Sequence, residues 1–468
     1  MRTLVWFRND LRVADHSALF HAMARGAAVG VFCVCVEQWR AHDVGDNRFA
    51  FLLDSLHHLQ QDLDRLGVPL ILLSEPRFEG VPSRLVELAA RTGARTLSFN
   101  EEYPWNERAR DAAVTLACEA AGISVECHHG GTLLPPGAVL SNAGRPYTVF
   151  SAFKRRWLSV ISRAAAEPLP APPPQVRPQR MGTRIPARFD GVARGRVSGR
   201  WPGGATEALR RLSAFLAERV HRYDHDRDFP ALDATSTLSP YLSVGSISAR
   251  QCLEAAVDAN GGRLRSGSPG VLTWIDELVW RDFYRHVVAW FPHVSRGRAF
   301  RRPMDRLPWR DAPGELDAWK AGQTGFPLVD AAMRQLAATG WMHNRLRMLT
   351  AMFLSKHLLL DWRVGERHFM NMLVDGDFPA NNGGWQWSAS TGTDAVPYFR
   401  IFNPHSQARR FDPEGAFIRR WVPELAEAPL YALFDPDRHP VEGYPRPIVD
   451  HKAARQRALE TYQAVQCR

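Results

Sequence analysis

Apolar and polar positions along the chain change their period near its middle. Up to about residue 130, short runs of Val, Leu and aromatic residues alternate with stretches of helical spacing. Strands are predicted at 3–7, 28–36, 69–73, 96–99 and 124–128. Between them Leu52, Leu56, Leu59, Leu63 and Leu66 recur at helical spacing, with Gly67 placed as a C-cap. Further helices are predicted at 83–92 and 106–121. Strands that alternate with helices predict an α/β fold, a doubly wound parallel sheet of Rossmann-like type. After the first strand stands Arg8-Asn9-Asp10-Leu11-Arg12, where a dinucleotide-binding dehydrogenase would carry G-x-G-x-x-G, so that class is disfavoured.

Residues 164–178 are Ala- and Pro-rich and exclude a regular helix or a central strand, because Pro removes a donor and blocks the helix. With the Gly/Arg-rich 181–204 they predict a linker draped over the surface. Beyond Trp201 helical spacing dominates, at 205–220, 247–259, 271–291, 328–338, 345–360 and 451–465. Three parts are therefore expected: an α/β domain at 1–130, a linker at 131–200 and a larger all-α domain at 201–468.

Bulk composition narrows the class. A chain of 468 residues exceeds one ordinary core, which agrees with two or three domains. No apolar run is long enough to span a bilayer, and residues 1–25 lack a secretion signal, so a cytoplasmic protein is expected. Six Cys without a CxxC pair fit reduced thiols, and no metal site is expected. The net charge of +10 fits a polyanionic partner such as nucleic acid.

The most unusual stretch is 375–396. It gathers Asp375, Asp377, Asn381, Asn382, Gly383, Gly384, Trp385 and Trp387 without one Lys or Arg. Tryptophans favour burial, whereas buried Asp and Asn cost free energy unless partnered. The mixture suits the wall of a deep pocket around a flat, heteroatom-rich ring; an irregular helix–loop with incidental polarity is the alternative. Asn344, Arg347 and Met348 share one helical face. Tyr223, Thr235, Ser236 and Ser239 precede a predicted helix, as a phosphate site or an ordinary N-cap would require. Glu277, Trp280, Arg281 and Tyr284 fall at i, i+3, i+4 and i+7, placing an acid, an aromatic plate and a base on one face. An amphipathic helix with an ion pair would look the same.

Together with Leu4 to Arg12 and Trp280-Arg281-Asp282-Phe283-Tyr284, these segments resemble the photolyase/cryptochrome family. Within it they resemble bacterial class I cyclobutane pyrimidine dimer (CPD) DNA photolyases. The likeness runs essentially end to end and is most specific at 341–348 and 380–395. It implies a light-driven DNA repair lyase in which reduced FAD gives an electron to the dimer and later regains it. Matched FAD positions are Tyr223, Thr235, Ser236, Thr237, Leu238 and Ser239 for phosphate and ribityl, with Trp274 near the ring. Arg347 and Asp375 match a buried ion pair against the ring, beside Gly376 and Asp377, and Asn381 matches the residue facing N5. Of 15 Trp, the resemblance picks out Trp385, Trp362 and Trp309 as an electron-transfer chain; without it all three would read as core.

The resemblance also assigns a lesion pocket. Glu277 would bond the damaged pyrimidine edges, Trp280 would stack on the dimer, and Asn344 and Met348 would complete the pocket. DNA contacts would come from Arg227, Arg281, Tyr284, Arg345, Trp387, Arg400 and Gln407. Guanidinium forks suit phosphates, which set affinity without reading sequence. An antenna, 5,10-methenyltetrahydrofolate, is expected at His42, Asn106, Glu107 and Arg296, although Arg296 stands where Lys is typical. Three rivals remain. A cryptochrome photoreceptor is opposed by Asn381, the intact Glu277/Trp280 pocket and the lack of a long tail. A (6-4) photolyase would need histidines at Asn344 and Met348; His343 should point roughly 100° away around the helix. A flavin-free nucleic-acid-binding helical protein is the third. A monomer is expected by analogy with the family.

Overall fold

The computed structural model describes residues 2–176, 182–193, 195–197 and 199–466. They form two compact units, each discontinuous in sequence. One comprises 1–221, 236–295 and 374–376; the other comprises 222–235, 296–373 and 377–468.

The first unit is built on a parallel sheet of β1 (Arg2–Phe7), β2 (Ala27–Val34), β3 (Leu70–Ser74), β4 (Thr96–Asn100) and β5 (Ser124–His128), in the order β3-β2-β1-β4-β5. Leu4 lies opposite Val29 on one side and Leu97 on the other. Connections run through α1 (Ser17–Arg25), α2 (Asp46–Arg65), α3 (Val81–Thr92) and α4 (Trp105–Ala120). Trp6, Val31, Leu85, Leu88 and Phe99 fill one core of this layered fold. All five predicted strands are present to within two residues at each end. Gly67 has φ +69, the left-handed backbone that ends α2. α1 was not predicted.

The turn after β1 is a buried polar network. Arg8 donates to Asp111 at 3.2 Å and to the Asn100 carbonyl, and its guanidinium lies 4.3 Å from the Trp6 ring centroid. Asp10 pairs with His16 at 3.0 Å, and Arg12 donates to the Gly245 carbonyl at 3.1 Å. Arg48 reaches Ser243 Oγ at 2.7 Å, and Arg250 pairs with Asp15 at 2.9 Å. Ion pairs thus fill the turn where a dinucleotide fold would leave backbone amides open to pyrophosphate.

The stretch expected to be linker is partly structured. α5 (Phe150–Val160) packs Phe153 and Trp157 on α8 (Pro269–Trp290), and a four-residue helix at Arg163–Ala166 precedes the prolines. Gln175 bonds both backbone groups of Ala28 at 2.8 Å, and Thr183 donates to the Leu70 carbonyl of edge strand β3 at 2.8 Å. Residues 177–181 of this stretch lie outside the described residues. α6 (Ala205–Glu218) and α7 (Ala249–Ala259) join α8 in this unit, with shorter helices at Val36–Ala41 and Ser239–Val244.

The second unit is helical: α9 (Pro313–Ala321), α10 (Pro327–Thr339), α11 (Asn344–Met352), α12 (Trp362–Met372), α13 (Phe378–Ser388), α14 (Pro404–Phe411) and α15 (His451–Gln466). The helix expected at 345–360 is interrupted. After Met352 the chain widens into a π-helical turn, Phe353–His357, and Leu359 takes φ +53. Inserted residues of this kind are found where a side chain is re-aimed for function. The stretch 375–396 contains α13, whose N-cap is Asp377, accepting from Ala380 N at 3.3 Å.

Candidate flavin and nucleic-acid site

α8 presents the predicted face. Ile275, Leu278, Val279, Asp282 and Phe283 are buried, while Glu277, Trp280, Arg281 and Tyr284 are half-buried. Asp282 anchors the helix by accepting from Leu133 N and Leu134 N and from Trp157 Nε1, at 3.0 to 3.2 Å. Phe150 lies parallel to Trp280 at 3.6 Å. Sequence reading missed this partner because Phe150 fell inside the expected linker, although Phe150, Phe153 and Trp157 have the spacing of a helix face. Arg281 donates to the carbonyls of Gly131 at 2.9 Å and Leu242 at 3.5 Å. Trp274 is buried and packs on Phe215 at 5.2 Å.

Of the hydroxyl segment, Leu238 is buried, Thr235, Ser236 and Thr237 are half-buried and Ser239 is exposed. Thr237 takes φ +50, costly for a β-branched residue, and its Oγ1 accepts from Arg211 at 3.0 Å. Asp375 and Gly376 are buried.

The second unit holds the remaining assigned residues. Tyr223 is buried beneath the Arg227 guanidinium, 5.4 Å from its ring centroid. α11 begins at Asn344, which is exposed, while Arg345, Arg347 and Met348 are half-buried. His343 is not on the helix face at all. It is the N-cap, 2% exposed, with Nδ1 accepting from Arg345 N at 3.2 Å. Burial pushes its pKa down to about 4, so it stays neutral. Arg345 pairs with Asp228, and Arg347 Nε donates to the Met342 carbonyl at 2.8 Å. On α13, Asn381 Nδ2 donates to the Glu366 carbonyl at 3.1 Å, which leaves Oδ1 as its open acceptor. Asn382 bonds the Glu366 carboxylate and Gln386 at 2.9 Å each, so the turn is braced from behind. Trp387 and Gln407 are half-buried and Arg400 is exposed.

Trp362 and Trp385 are buried in one aromatic core with Trp319 and Phe369, and Trp309 packs against it. Trp385 lies edge-on to Phe369 at 5.0 Å and to Trp319 at 6.1 Å. Trp309 lies edge-on to Tyr462 at 6.4 Å. The indole N–H groups of Trp309, Trp362 and Trp385 have no hydrogen-bond acceptor among the described residues. That is uncommon for buried indoles and gave no signal in the sequence.

Three of the four antenna residues meet in the first unit. Asn106 Nδ2 donates to His42 Nε2 at 2.8 Å, and the His42 ring lies 3.5 Å from Glu107. Burial, with Glu102 and Asp111 nearby, pushes Glu107 up to about 7. Arg296 belongs to the second unit.

Residues 3–175 match the family model described as DNA photolyase, and 274–464 match that of the FAD binding domain of DNA photolyase. The deoxyribodipyrimidine photo-lyase of Salmonella typhimurium is 42% identical over 98% of both chains, and that of Escherichia coli is 41% identical over the same shares. The chain belongs to the DNA photolyase family. A bacterial class III photolyase from Agrobacterium tumefaciens superposes with a TM-score of 0.89 at 35% identity, covering 100% of this chain and 98% of that one. A Synechocystis cryptochrome superposes at 0.87 with 27% identity, over 98% and 99%. Photolyases carry FAD, and the donor set here fits it. The strained Thr237 and the open Oδ1 of Asn381 are costly features for a structural role alone. Among the described residues no helix is long and apolar enough to cross a membrane, and no cluster of His, Cys, Asp and Glu could hold a metal ion.

Proposed function

We propose that this photolyase-family chain is a deoxyribodipyrimidine photolyase of class I type, which splits cyclobutane pyrimidine dimers in DNA under light. The observation that carries the substrate reading is the start of α11. It offers Asn344 and Met348, neither of which titrates, while the adjacent His343 is buried as a helix cap. Splitting a cyclobutane dimer needs an electron and no proton relay, whereas reversing a (6-4) adduct moves a proton onto a leaving group.

FAD, when bound, supplies light absorption and the electron. Tyr223, Thr235, Ser236, Thr237, Leu238 and Ser239 would hold its phosphates and ribityl chain. Trp274, Arg347, Asp375, Gly376, Asp377 and Asn381 would hold the ring. With its nitrogen committed to Glu366, Asn381 would present a neutral acceptor to the ring and no negative charge to repel added electron density. Trp385, Trp362 and Trp309 would carry electrons inward from the surface. With no acceptor at the three indole nitrogens among the described residues, an oxidised ring would keep its proton and its positive charge would stay mobile.

Glu277 would bond the pyrimidine edges and Trp280, backed by Phe150, would be the plate on which the dimer stacks. Photolyases flip their target out of the duplex, and a dimer with weakened pairing costs less to flip. Arg227, Arg281, Arg345, Arg400 and Gln407 would address the backbone, with Tyr284 and Trp387 beside the lesion. In this reading 1–130 is the antenna-binding domain, 131–200 the connection and 201–468 the catalytic domain, in a cytoplasmic monomer. His42, Asn106, Glu107 and Arg296 would hold methenyltetrahydrofolate; reconstitution that adds no near-ultraviolet band contradicts this. Illumination of a thymine-dimer oligonucleotide with pre-reduced protein tests the function, since restored pyrimidine double bonds raise the absorbance. Unchanged absorbance overturns it.

A further inference from the structure

Lys356 is the most unusual ionisable group of the second unit. It is fully buried, at 0% exposure, in the π-helical turn Phe353–His357, and no carboxylate pairs with it among the described residues. A lone buried ammonium is costly, so its partners should explain its presence. Nζ donates to the carbonyls of Tyr398 at 3.4 Å and Arg400 at 3.1 Å, and lies 5.9 Å from the Tyr462 ring centroid. Two carbonyls and one aromatic face satisfy the three ammonium protons.

Both carbonyls belong to one exposed loop. Residues 397–402 turn through a bond from Arg400 N to the Pro397 carbonyl at 2.9 Å. The loop is pinned from below at two further points. Tyr398 stacks on Tyr462 at 6.4 Å and 7°, and Phe402 N donates to Met352 Sδ at 3.1 Å. Met352 closes α11 and Lys356 lies one turn later, so the widened helix aims the ammonium at the loop. At its tip the side chains of Phe399 and Arg400 are exposed.

We propose that Lys356 is a positioning residue for DNA binding: by holding the Tyr398 and Arg400 carbonyls it fixes the loop so that Arg400 faces a backbone phosphate. This rests on the reading of the chain as a DNA-binding photolyase. A pair of N–H donations to one turn fixes where the Arg400 backbone sits, which a surface loop of this length does not do by itself.

The test uses the full-length, flavin-loaded protein and two duplexes, one carrying a single thymine cyclobutane dimer and one undamaged. Affinity is measured across a salt series. Arg400→Ala is expected to lower the slope of log affinity against log salt by about 0.9, the loss of one phosphate contact. Lys356→Met is expected to lower it equally, and Arg400→Ala added to Lys356→Met is expected to change nothing more. Amide exchange at Arg400 and Phe402 should quicken in Lys356→Met while the flavin spectrum is retained. Should Lys356→Met fail to fold, Lys356→Gln, which keeps N–H donors without charge, carries the same tests with a partial drop in slope. A folded Lys356 variant with wild-type slope and wild-type exchange overturns the proposal, as does an Arg400→Ala effect that survives in full in the Lys356→Met background. Failure of the functional reading would look different: wild-type protein would not prefer the damaged duplex.

Discussion

Gly365 sits in the first half of α12, and the packing of Trp385 depends on its lacking a side chain. A Cβ added there would lie 2.1 Å from Trp385 Cη2 and 2.5 Å from both Trp385 Cζ3 and Leu354 Cδ2. Carbon atoms rest about 3.5–4.0 Å apart, so the indole would have to retreat by more than 1 Å. It has nowhere to go, being 2% exposed with Phe369 at 5.0 Å and Trp319 at 6.1 Å. Overpacking of this kind costs about 1–3 kcal/mol. Against it, Gly→Ala in a helix gains about 0.5–1 kcal/mol. Gly365→Ala is therefore expected to destabilise by about 1–2 kcal/mol, read as a lower urea midpoint at unchanged slope. Gly314→Ala in α9 is the control, because nothing lies within 4 Å of its added Cβ; it should be neutral or slightly stabilising. The Gly365 variant should also reduce its flavin more slowly under light, since the displaced indole is Trp385. A midpoint equal to or above wild type would refute the packing argument.

Three further outcomes are expected. Trp309→Phe should slow light-driven reduction of oxidised flavin while pre-reduced enzyme still repairs; loss of repair after chemical reduction would sink the relay assignment. Asp282→Ala leaves the Leu133 and Leu134 amides and the Trp157 indole without their acceptor, so a loss of about 3 kcal/mol or more is expected in urea unfolding, against less than 1 if the carboxylate is incidental. His343 has its folded pKa lowered from 6.5 to about 4, so its contribution is full above pH 6.5 and lost as pH falls toward 4, by about 3 kcal/mol. His357 and His368, lowered to about 3 and about 4, act in the same direction. His343→Asn keeps a cap, so its urea midpoint should fall less between pH 7 and pH 5 than wild type; equal falls would exclude the histidine.

Periodicity carried the strands and most long helices, because period 2 and period 3.6 register directly which face is buried. It failed where burial is uniform or short. The 375–396 stretch hides α13 because its Asn and Gly residues break the apolar period, and Asn381 and Asn382 both turn to Glu366. The π-helical turn at Phe353–His357 left no signal, since Phe353, Leu354, Lys356 and His357 are all buried and a widened turn differs from an ordinary one only in its backbone hydrogen bonds. Glu277 and Trp280 were legible as a helix face, whereas Phe150, which backs Trp280, comes from more than a hundred residues earlier. The role of Arg8 to Arg12 as an ion-paired turn was equally invisible, as its partners lie as far away as Gly245.

The account's central claim is tested most directly by two oligonucleotides, one carrying a cyclobutane thymine dimer and one a (6-4) adduct, illuminated identically with pre-reduced protein. A lesion pocket lined by Asn344 and Met348, with His343 neutral in its cap, predicts that the cyclobutane dimer is repaired and the (6-4) adduct persists. Repair of the (6-4) adduct with the cyclobutane dimer untouched would contradict both the pocket assignment and the proposed substrate.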